Sequence, residues 1–171
     1  MDLETKAREF ATAHHKGQKR LYTGEDYITH PAAVVEILRS IGASEPLIAA
    51  GWLHDTVEDC DVSLATIQQE FGSEVALNVY WVTNPSCQLN LSRQEAKEMD
   101  RLHLSAAPAD AQTLKLADIL HNTPSIIVND PKFAETYIPE KKRLLSVLTR
   151  GDRHLWQRAS TIIENYYSVP A

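Results

Sequence analysis

Apolar residues recur at helical spacing along most of the chain. The first run places Leu3, Ala7, Phe10 and Ala11 at i, i+4, i+7 and i+8, which is one face of a helix. Comparable apolar runs follow around residues 34–41, 47–53, 64–71, 75–80, 114–121, 144–148 and 155–166. No segment alternates apolar and polar residues as a half-buried strand does. We therefore predict an all-α fold, a bundle of about eight or nine helices.

Small polar residues and prolines indicate where several of these helices begin. Ser44 and Ser63 each precede an apolar run and are expected to be N-caps, and Ser92 with Glu95 is typical of a capping box. Pro31 is expected at the first position of its helix, where the missing N–H has no intrahelical partner in any case. The helix boundaries therefore rest on local chemistry as well as on periodicity.

The composition is that of one soluble domain, expected to span residues 1–171. Hydrophobic residues make up 43% of the 171 residues and charged residues 23%. The formal net charge of −6 argues against coating of a nucleic acid, which needs a basic face, but not against a small anionic substrate. The six glycines are too scattered for a dinucleotide-binding fingerprint or a P-loop. A small-molecule substrate is the partner expected, and the oligomeric state is left open.

The sequence also favours a reducing compartment. Cys60 and Cys87 form no C-x-x-C pair, and the first residues lack the pattern of a signal peptide. No apolar run approaches the roughly 20 residues that span a bilayer. We expect a cytoplasmic protein without membrane contact.

Histidines next to carboxylates are the strongest chemical signal. His54-Asp55 directly follows an apolar run and is therefore expected to be drawn toward the interior. Burying a carboxylate or an imidazole costs several kcal/mol unless it is paired or binds a metal. On a continued helix Glu58 and Asp59 would lie one turn beyond that pair. Asp118 lies among leucines and could complete a metal site from another helix. The plainer alternatives are a solvated acidic turn and an Asp118–Lys115 ion pair.

The order of these motifs resembles a known family. An isolated His30, then His54-Asp55, then a distant Asp118 is similar to the pattern of HD-domain metal-dependent phosphohydrolases. The resemblance extends over about residues 5–165 and is closest to the hydrolase domain of RelA/SpoT proteins, in particular the stand-alone small alarmone hydrolases, the Mesh1-like members. The matching segments are GQKR at 17–20, YITHP at 27–31, HDTVED at 54–59, FG at 71–72, VT at 82–83 and KLADILHN at 115–122.

The resemblance implies a role for each matching residue. The implied metal ligands are His30, His54, Asp55 and Asp118, usually of manganese, with another divalent ion as the alternative. The implied catalytic pair, which positions or activates the attacking water, is Glu58 and Asp59. The candidate substrate-binding residues are Arg20, which matches an arginine that packs against the base, Asn122, which matches a residue near the sugar, Lys19 and Thr83. The implied reaction removes pyrophosphate from the 3′ position of guanosine tetra- and pentaphosphate, (p)ppGpp, giving GDP or GTP.

Three departures from the family pattern affect substrate contacts. Leu21 and Pro124 stand where the family usually has a Lys and an Arg, and Ile119 replaces another Arg. The candidate replacement cations are Lys16, Lys19, Arg93, Lys97 and Lys141 to Arg143.

Several functions therefore compete at the sequence level. The adenine alarmone (p)ppApp could be the main substrate, or the same site could act as an NADPH 2′-phosphatase or a 5′-nucleotidase. A binding module without catalysis is a further alternative. The intact ligand and acidic residues argue against that last one.

Overall fold

The computed structural model describes residues 2–168 and confirms the all-α prediction. Within that range nine helices have eight residues or more, one helix is a single turn, and a 3-10 helix spans Pro85–Gln88. No strand is present between residues 2 and 168 beyond an isolated bridge from Lys19 to Asp26. The α-helices are α1 Leu3–His14, α2 Thr29–Arg39, α3 Glu45–Leu53, α4 Thr56–Asp59, α5 Leu64–Phe71, α6 Ser73–Val82, α7 Arg93–Ala106, α8 Ala109–Asn129, α9 Pro131–Leu145 and α10 Arg153–Ser168.

Helices α3 and α8 form the centre of the bundle. All seven residues from Leu47 to Leu53 are buried, because α1, α2 and α6 surround α3. Helix α8 packs against α2, α3, α6, α9 and α10. It runs from Ala109 to Asn129 and so extends well beyond the predicted 114–121 at both ends, passing through Pro124. None of the helices in the described range is long and apolar enough to cross a membrane.

Most of the predicted helix starts are confirmed. The side chains of Ser44 and Ser63 cap α3 and α5, and Ser92 forms the complete capping box of α7. The expectation for Pro31 is wrong, because α2 begins two residues earlier, at Thr29. Pro31 then lies in the first turn, where backbone N–H groups have no intrahelical acceptor. The N–H that proline lacks therefore costs no hydrogen bond.

Helix α3 ends with the apolar run and does not continue through the His54-Asp55 motif. It ends at Leu53, and the single-turn helix α4 begins at Thr56. The His54 Nδ1 atom lies 2.8 Å from the Gly51 carbonyl oxygen, and Thr56 Oγ1 donates to the Leu53 carbonyl at 2.7 Å. Side chains thus satisfy carbonyls at the end of α3, which favours a helix end over continuation. The polar pair therefore lies on a turn between two helices.

A close approach between α2 and α3 sets the position of this turn. A Cβ atom on Gly51 would lie 2.9 Å from Leu38 Cδ1 and 3.0 Å from Val35 Cγ2, both on α2. Contacts that short would force these side chains or the helices to shift, so glycine lets the two helices pack at this distance without rearrangement. The start of α2, with His30, is thereby held close to His54.

Candidate metal centre and substrate cleft

Four polar side chains from three parts of the fold converge at one point. His30 comes from the start of α2, His54 and Asp55 from the turn after α3, and Asp118 from the middle of α8. His30 Nε2 lies 3.2 Å from His54 Nε2, 3.4 Å from Asp55 Oδ2 and 3.4 Å from Asp118 Oδ1. His54 Nε2 lies 3.2 Å from Asp55 Oδ2. The structure therefore brings together all four residues predicted as metal ligands.

The separations and the donor types suit a divalent ion. An ion that binds nitrogen and oxygen at about 2.1 Å holds neighbouring octahedral ligands about 3 Å apart. His30, His54 and Asp55 meet the geometric requirement of a three-ligand group, and Asp118 adjoins it through His30. Imidazole with carboxylate favours a borderline-hard divalent metal. The residues thus fit the ion that the fold implies, without selecting among metals.

Hydrogen bonds on the far side of each imidazole orient its free nitrogen toward the centre. The Gly51 carbonyl can only accept, so the proton of neutral His54 lies on Nδ1 and the Nε2 lone pair faces the cluster. His30 Nδ1 lies 2.7 Å from His121 Nδ1. Burial, together with the charges of His30 and Arg20, lowers the pKa of His121 to about 4. A neutral His121 can accept the Nδ1 proton of His30, which leaves His30 Nε2 free to bind.

The two carboxylates are held in the ionised form. When no ion takes the Nε2 lone pair, the neighbouring carboxylates outweigh burial and raise the pKa of His54 to about 9. Burial alone would raise the pKa of Asp55, but the charge of that protonated imidazole outweighs it and keeps the pKa well below its usual range. Tyr27 also donates its hydroxyl to Asp55 Oδ2 at 2.7 Å. The pKa of Asp118 is likewise lowered against its burial, chiefly by the charge of Lys115.

Asp118 uses its two oxygens differently. Oδ2 forms an ion pair with Lys115 Nζ at 2.9 Å. Oδ1 accepts from Asn122 Nδ2 at 2.6 Å and faces His30. The ion pair considered as an alternative at the sequence level is thus present, and it leaves Oδ1 of the same carboxylate beside His30.

Glu58 and Asp59 occupy different environments. Asn84 donates to the Glu58 carboxylate with both its backbone N–H and its side-chain amide. Burial raises the pKa of Glu58, and the charge of Lys115 and the Asn84 bonds oppose that rise. Asp59 is exposed at the end of α4, and its backbone carbonyl accepts from Gln18 Nε2 at 3.0 Å. Glu58 is therefore the fixed member of the acidic pair.

Arg20 is the predicted substrate residue most directly linked to the centre. Its guanidinium donates to Asn122 Oδ1 at 2.7 Å, and Asn122 in turn holds Asp118. The guanidinium carbon also lies 5.7 Å from the centroid of the Tyr27 ring. Leu21, next to Arg20, is 85% exposed and offers no polar side-chain group.

The other two predicted substrate residues lie further from the centre. Lys19 is mostly exposed and forms an ion pair with Asp26 at 2.7 Å. Thr83 Oγ1 donates to the carbonyl of Val79 at the end of α6, and Thr83 precedes the Glu58 partner Asn84. Neither side chain has a hydrogen bond to the four converging residues within the described part of the chain.

A cavity rich in cations is lined by Asn84 and Lys115, the partners of Glu58 and Asp118. It has a volume of about 180 Å³ and lies among α7, α8, α9 and Asn84. We call it the cationic cavity; its positively charged lining residues are Lys97, Arg101, Lys115, Lys141 and Arg143. Burial and the neighbouring charge of Lys115 lower the pKa of Lys141 to about 8. Three of the replacement cations suggested by the sequence, Lys97, Lys141 and Arg143, are therefore found here.

The fold and this cluster together define an all-α protein with a histidine–aspartate centre suited to a divalent ion. A family model described as HD domain matches residues 7–141. The chain belongs to the HD domain family, so the predicted membership is confirmed.

Named relatives place the chain near RelA/SpoT-type proteins. It is 39% identical over 138 residues to a probable guanosine-3′,5′-bis(diphosphate) 3′-pyrophosphohydrolase of Synechocystis, and 40% identical over 119 residues to a GTP pyrophosphokinase of Streptomyces coelicolor. The matches cover 78% and 68% of this chain but only 17% and 14% of the relatives. The chain thus spans about a sixth or less of the length of these curated relatives.

A solved structure of similar length agrees with this placement. It is described as a metazoan ortholog of SpoT that hydrolyses ppGpp and plays a role in starvation responses. Its TM-score to this chain is 0.86 with 25% identity, and the match covers 96% of each chain. The resemblance to the hydrolase part of RelA/SpoT proteins, predicted from the motifs, is confirmed.

Proposed function

We propose that the protein is a metal-dependent 3′-pyrophosphohydrolase of guanosine tetra- and pentaphosphate. The observation that supports this most directly is the convergence of His30, His54, Asp55 and Asp118, with Glu58 held beside them. The relatives point the same way, because one is named for this activity and the solved neighbour is described as hydrolysing ppGpp. The kinase name of the Streptomyces relative belongs to a chain of which only 14% is matched.

We propose His30, His54, Asp55 and Asp118 as the ligands of the resident ion, with manganese as that ion. When bound, the ion supplies polarisation of a phosphoryl oxygen and a lower pKa for water. The reaction adds the oxygen of water to the phosphorus next to the 3′ oxygen and breaks the bond between them. The proton that the attacking water loses is passed on to the departing 3′ oxygen, so the products are pyrophosphate and GDP or GTP with a free 3′-hydroxyl.

The acidic pair provides the proton acceptor in this proposal. Glu58 takes a proton from the attacking water, since burial raises its pKa while two bonds from Asn84 fix its orientation. Asp59, exposed and held through its backbone by Gln18, orients water or substrate at the edge of the site. Phosphoryl transfer depends mainly on positioning and charge neutralisation, so few reactive groups are needed.

The nucleoside is placed on the Arg20 side of the centre. Tyr27 and Asn122 hold the guanidinium at the mouth of the site, where its flat face can stack on a purine. The names of the relatives favour guanine alarmones over (p)ppApp, NADPH and 5′-nucleotides. We therefore propose (p)ppGpp as the principal substrate and a cytoplasmic location for the reaction.

A substrate panel tests the proposed function. The manganese-loaded protein is assayed against ppGpp, ppApp, NADPH and GMP, and products are resolved by anion-exchange chromatography. We expect pyrophosphate and GDP from ppGpp in equal amounts, with no orthophosphate. Release of orthophosphate from NADPH or GMP at a higher kcat/KM than pyrophosphate from ppGpp would refute the proposal.

Replacing Arg20 with alanine is expected to raise the KM for ppGpp and for ppApp by a similar factor and to change kcat little. Stacking reads the face that both purines share, and Leu21 offers no hydrogen bond to the base edge. For the same reason we expect the wild type to prefer one base by no more than about 100-fold, which is some 2.7 kcal/mol. Steady-state kinetics with both alarmones checks this, with Arg8→Ala as an exposed control on α1. A rise in KM for only one of the two alarmones in the mutant would mean that Arg20 contacts the edge of the base.

A further inference from the structure

Helix α8 orders three parts of the site along one line. Lys115, Asp118 and Asn122 are spaced one turn apart, so Lys115 and Asn122 lie about 10 Å apart along the helix axis. Asn122 contacts Arg20, Asp118 belongs to the ligand cluster, and Lys115 lines the cationic cavity. The cavity is therefore on the side of the centre opposite the nucleoside end.

Most of the acidic groups that line the cavity are already paired. Glu98 receives two hydrogen bonds from Arg101, and Glu140 receives two from Arg93, which approaches from outside the cavity. Asp100 accepts from the Ser86 N–H through one oxygen and has Lys97 3.5 Å from the other. The carboxylates therefore use their negative charge on partners in the protein.

Two cations of the cavity have no such partner. Among residues 2–168, neither Lys141 nor Arg143 has a carboxylate within ion-pairing distance. Lys141 lies close enough to Lys115 and Lys97 for their charges to disfavour its own. A partly buried ammonium among other cations is stabilised by an anion. Space of about 180 Å³ is sufficient for the two phosphoryl groups of pyrophosphate.

We propose that the cationic cavity is a subsite for the two phosphoryl groups at the 3′ position, and for pyrophosphate once it is released. Lys141, with Lys115 and Arg143, binds their oxygens. Asn84, which lines the cavity and donates to the Glu58 carboxylate, connects this subsite to the proposed base. The proposal rests on the proposed function and adds the location of one product. The 5′-phosphates of the nucleotide then remain outside this cavity, on the side of Arg20.

Binding of the two products separately tests this assignment. Isothermal titration of the manganese-loaded protein is performed with inorganic pyrophosphate and with GDP. Free manganese is equal in cell and syringe, so that chelation by pyrophosphate cancels between variants. Lys141→Met removes the charge and keeps the aliphatic stem. The matched control is Lys142→Met, because the Lys142 ammonium lies 5.2 Å from the Tyr167 ring centroid on another face of α9.

We expect Lys141→Met to raise the Kd for pyrophosphate about 10-fold or more, as for the loss of a charged hydrogen bond. The Kd for GDP should stay within about 3-fold of the wild-type value. Lys142→Met should change neither. Weaker binding of GDP with unchanged binding of pyrophosphate would assign the cavity to the 5′-diphosphate instead and overturn the proposal. An equal loss for both products, or no loss for either, would also overturn it.

The test is independent of folding and of activity. Arg143→Met, whose side chain is exposed, provides a second variant if Lys141→Met fails to give a cooperative melting curve. The titrations need no turnover, so pyrophosphate binding can be lost while ppGpp hydrolysis persists, and the reverse. Failure of the subsite is thereby distinguishable from failure of the proposed function.

Discussion

Glu58→Gln is expected to lower kcat for ppGpp by about 10²- to 10⁴-fold, the usual cost of losing a general base. Glutamine has the shape of glutamate but cannot accept the proton of the attacking water. Asn84 can still orient its amide oxygen, so the geometry of the turn should persist. Pre-steady-state and steady-state rates at saturating manganese measure the loss, and elemental analysis of the purified variant measures its metal content.

Metal content near that of the wild type, together with the collapsed kcat, is the expected pair of results for Glu58→Gln. Glu74→Gln, on the exposed side of α6, serves as the control and should be neutral. An unchanged kcat would transfer the role of base to Asp59.

Removal of the metal is expected to abolish hydrolysis, and added manganese should restore it. Asp118→Ala should weaken manganese binding by more than about 100-fold, since even hydrogen-bond partners of ligands typically contribute 10- to 100-fold. The affinity is measured by competition with a fluorescent chelator. Asp110→Ala, exposed at the start of the same helix, is the matched control. Full activity of protein treated with EDTA and shown to be metal-free would disprove the role of the ion.

Local signals in the sequence predicted much of this fold correctly. The caps at Ser44, Ser63 and Ser92 depend on hydrogen bonds within three residues, and each is present. The all-α class follows from apolar periodicity, which is likewise local. The motifs around His30 and Asp118 identified residues that the fold then brought together.

Features that depend on long-range packing were predicted poorly or not at all. Pro124 removes one backbone donor and is unfavourable inside a helix, yet α8 continues for five residues beyond it. Packing against five other helices outweighs that local cost. The turn between α3 and α4 was not predicted, because it depends on which carbonyls the side chains of His54 and Thr56 contact and not on hydrophobic spacing.

The partners of the site residues were also beyond sequence reasoning. Asn84 lies 26 residues from Glu58, and Arg20 lies 102 residues from Asn122. No spacing rule relates positions so far apart, and nothing in the pattern singled out Asn84. His121 and Lys115 were visible as parts of a motif, but their contacts with His30 and Asp118 appear only in three dimensions.

The packing at Gly51 has a consequence for how this sequence can vary. Alanine is ordinarily the mildest replacement in a helix, and on propensity alone it would be an improvement. Here its Cβ would press on Leu38 and Val35, and any shift of α2 that relieves this contact would also move His30 away from His54 in the proposed metal site. Position 51 thus disfavours larger residues for a reason that lies outside the site itself. A screen of random variants for lost activity should therefore also recover substitutions at Gly51, although this residue is not one of the proposed ligands.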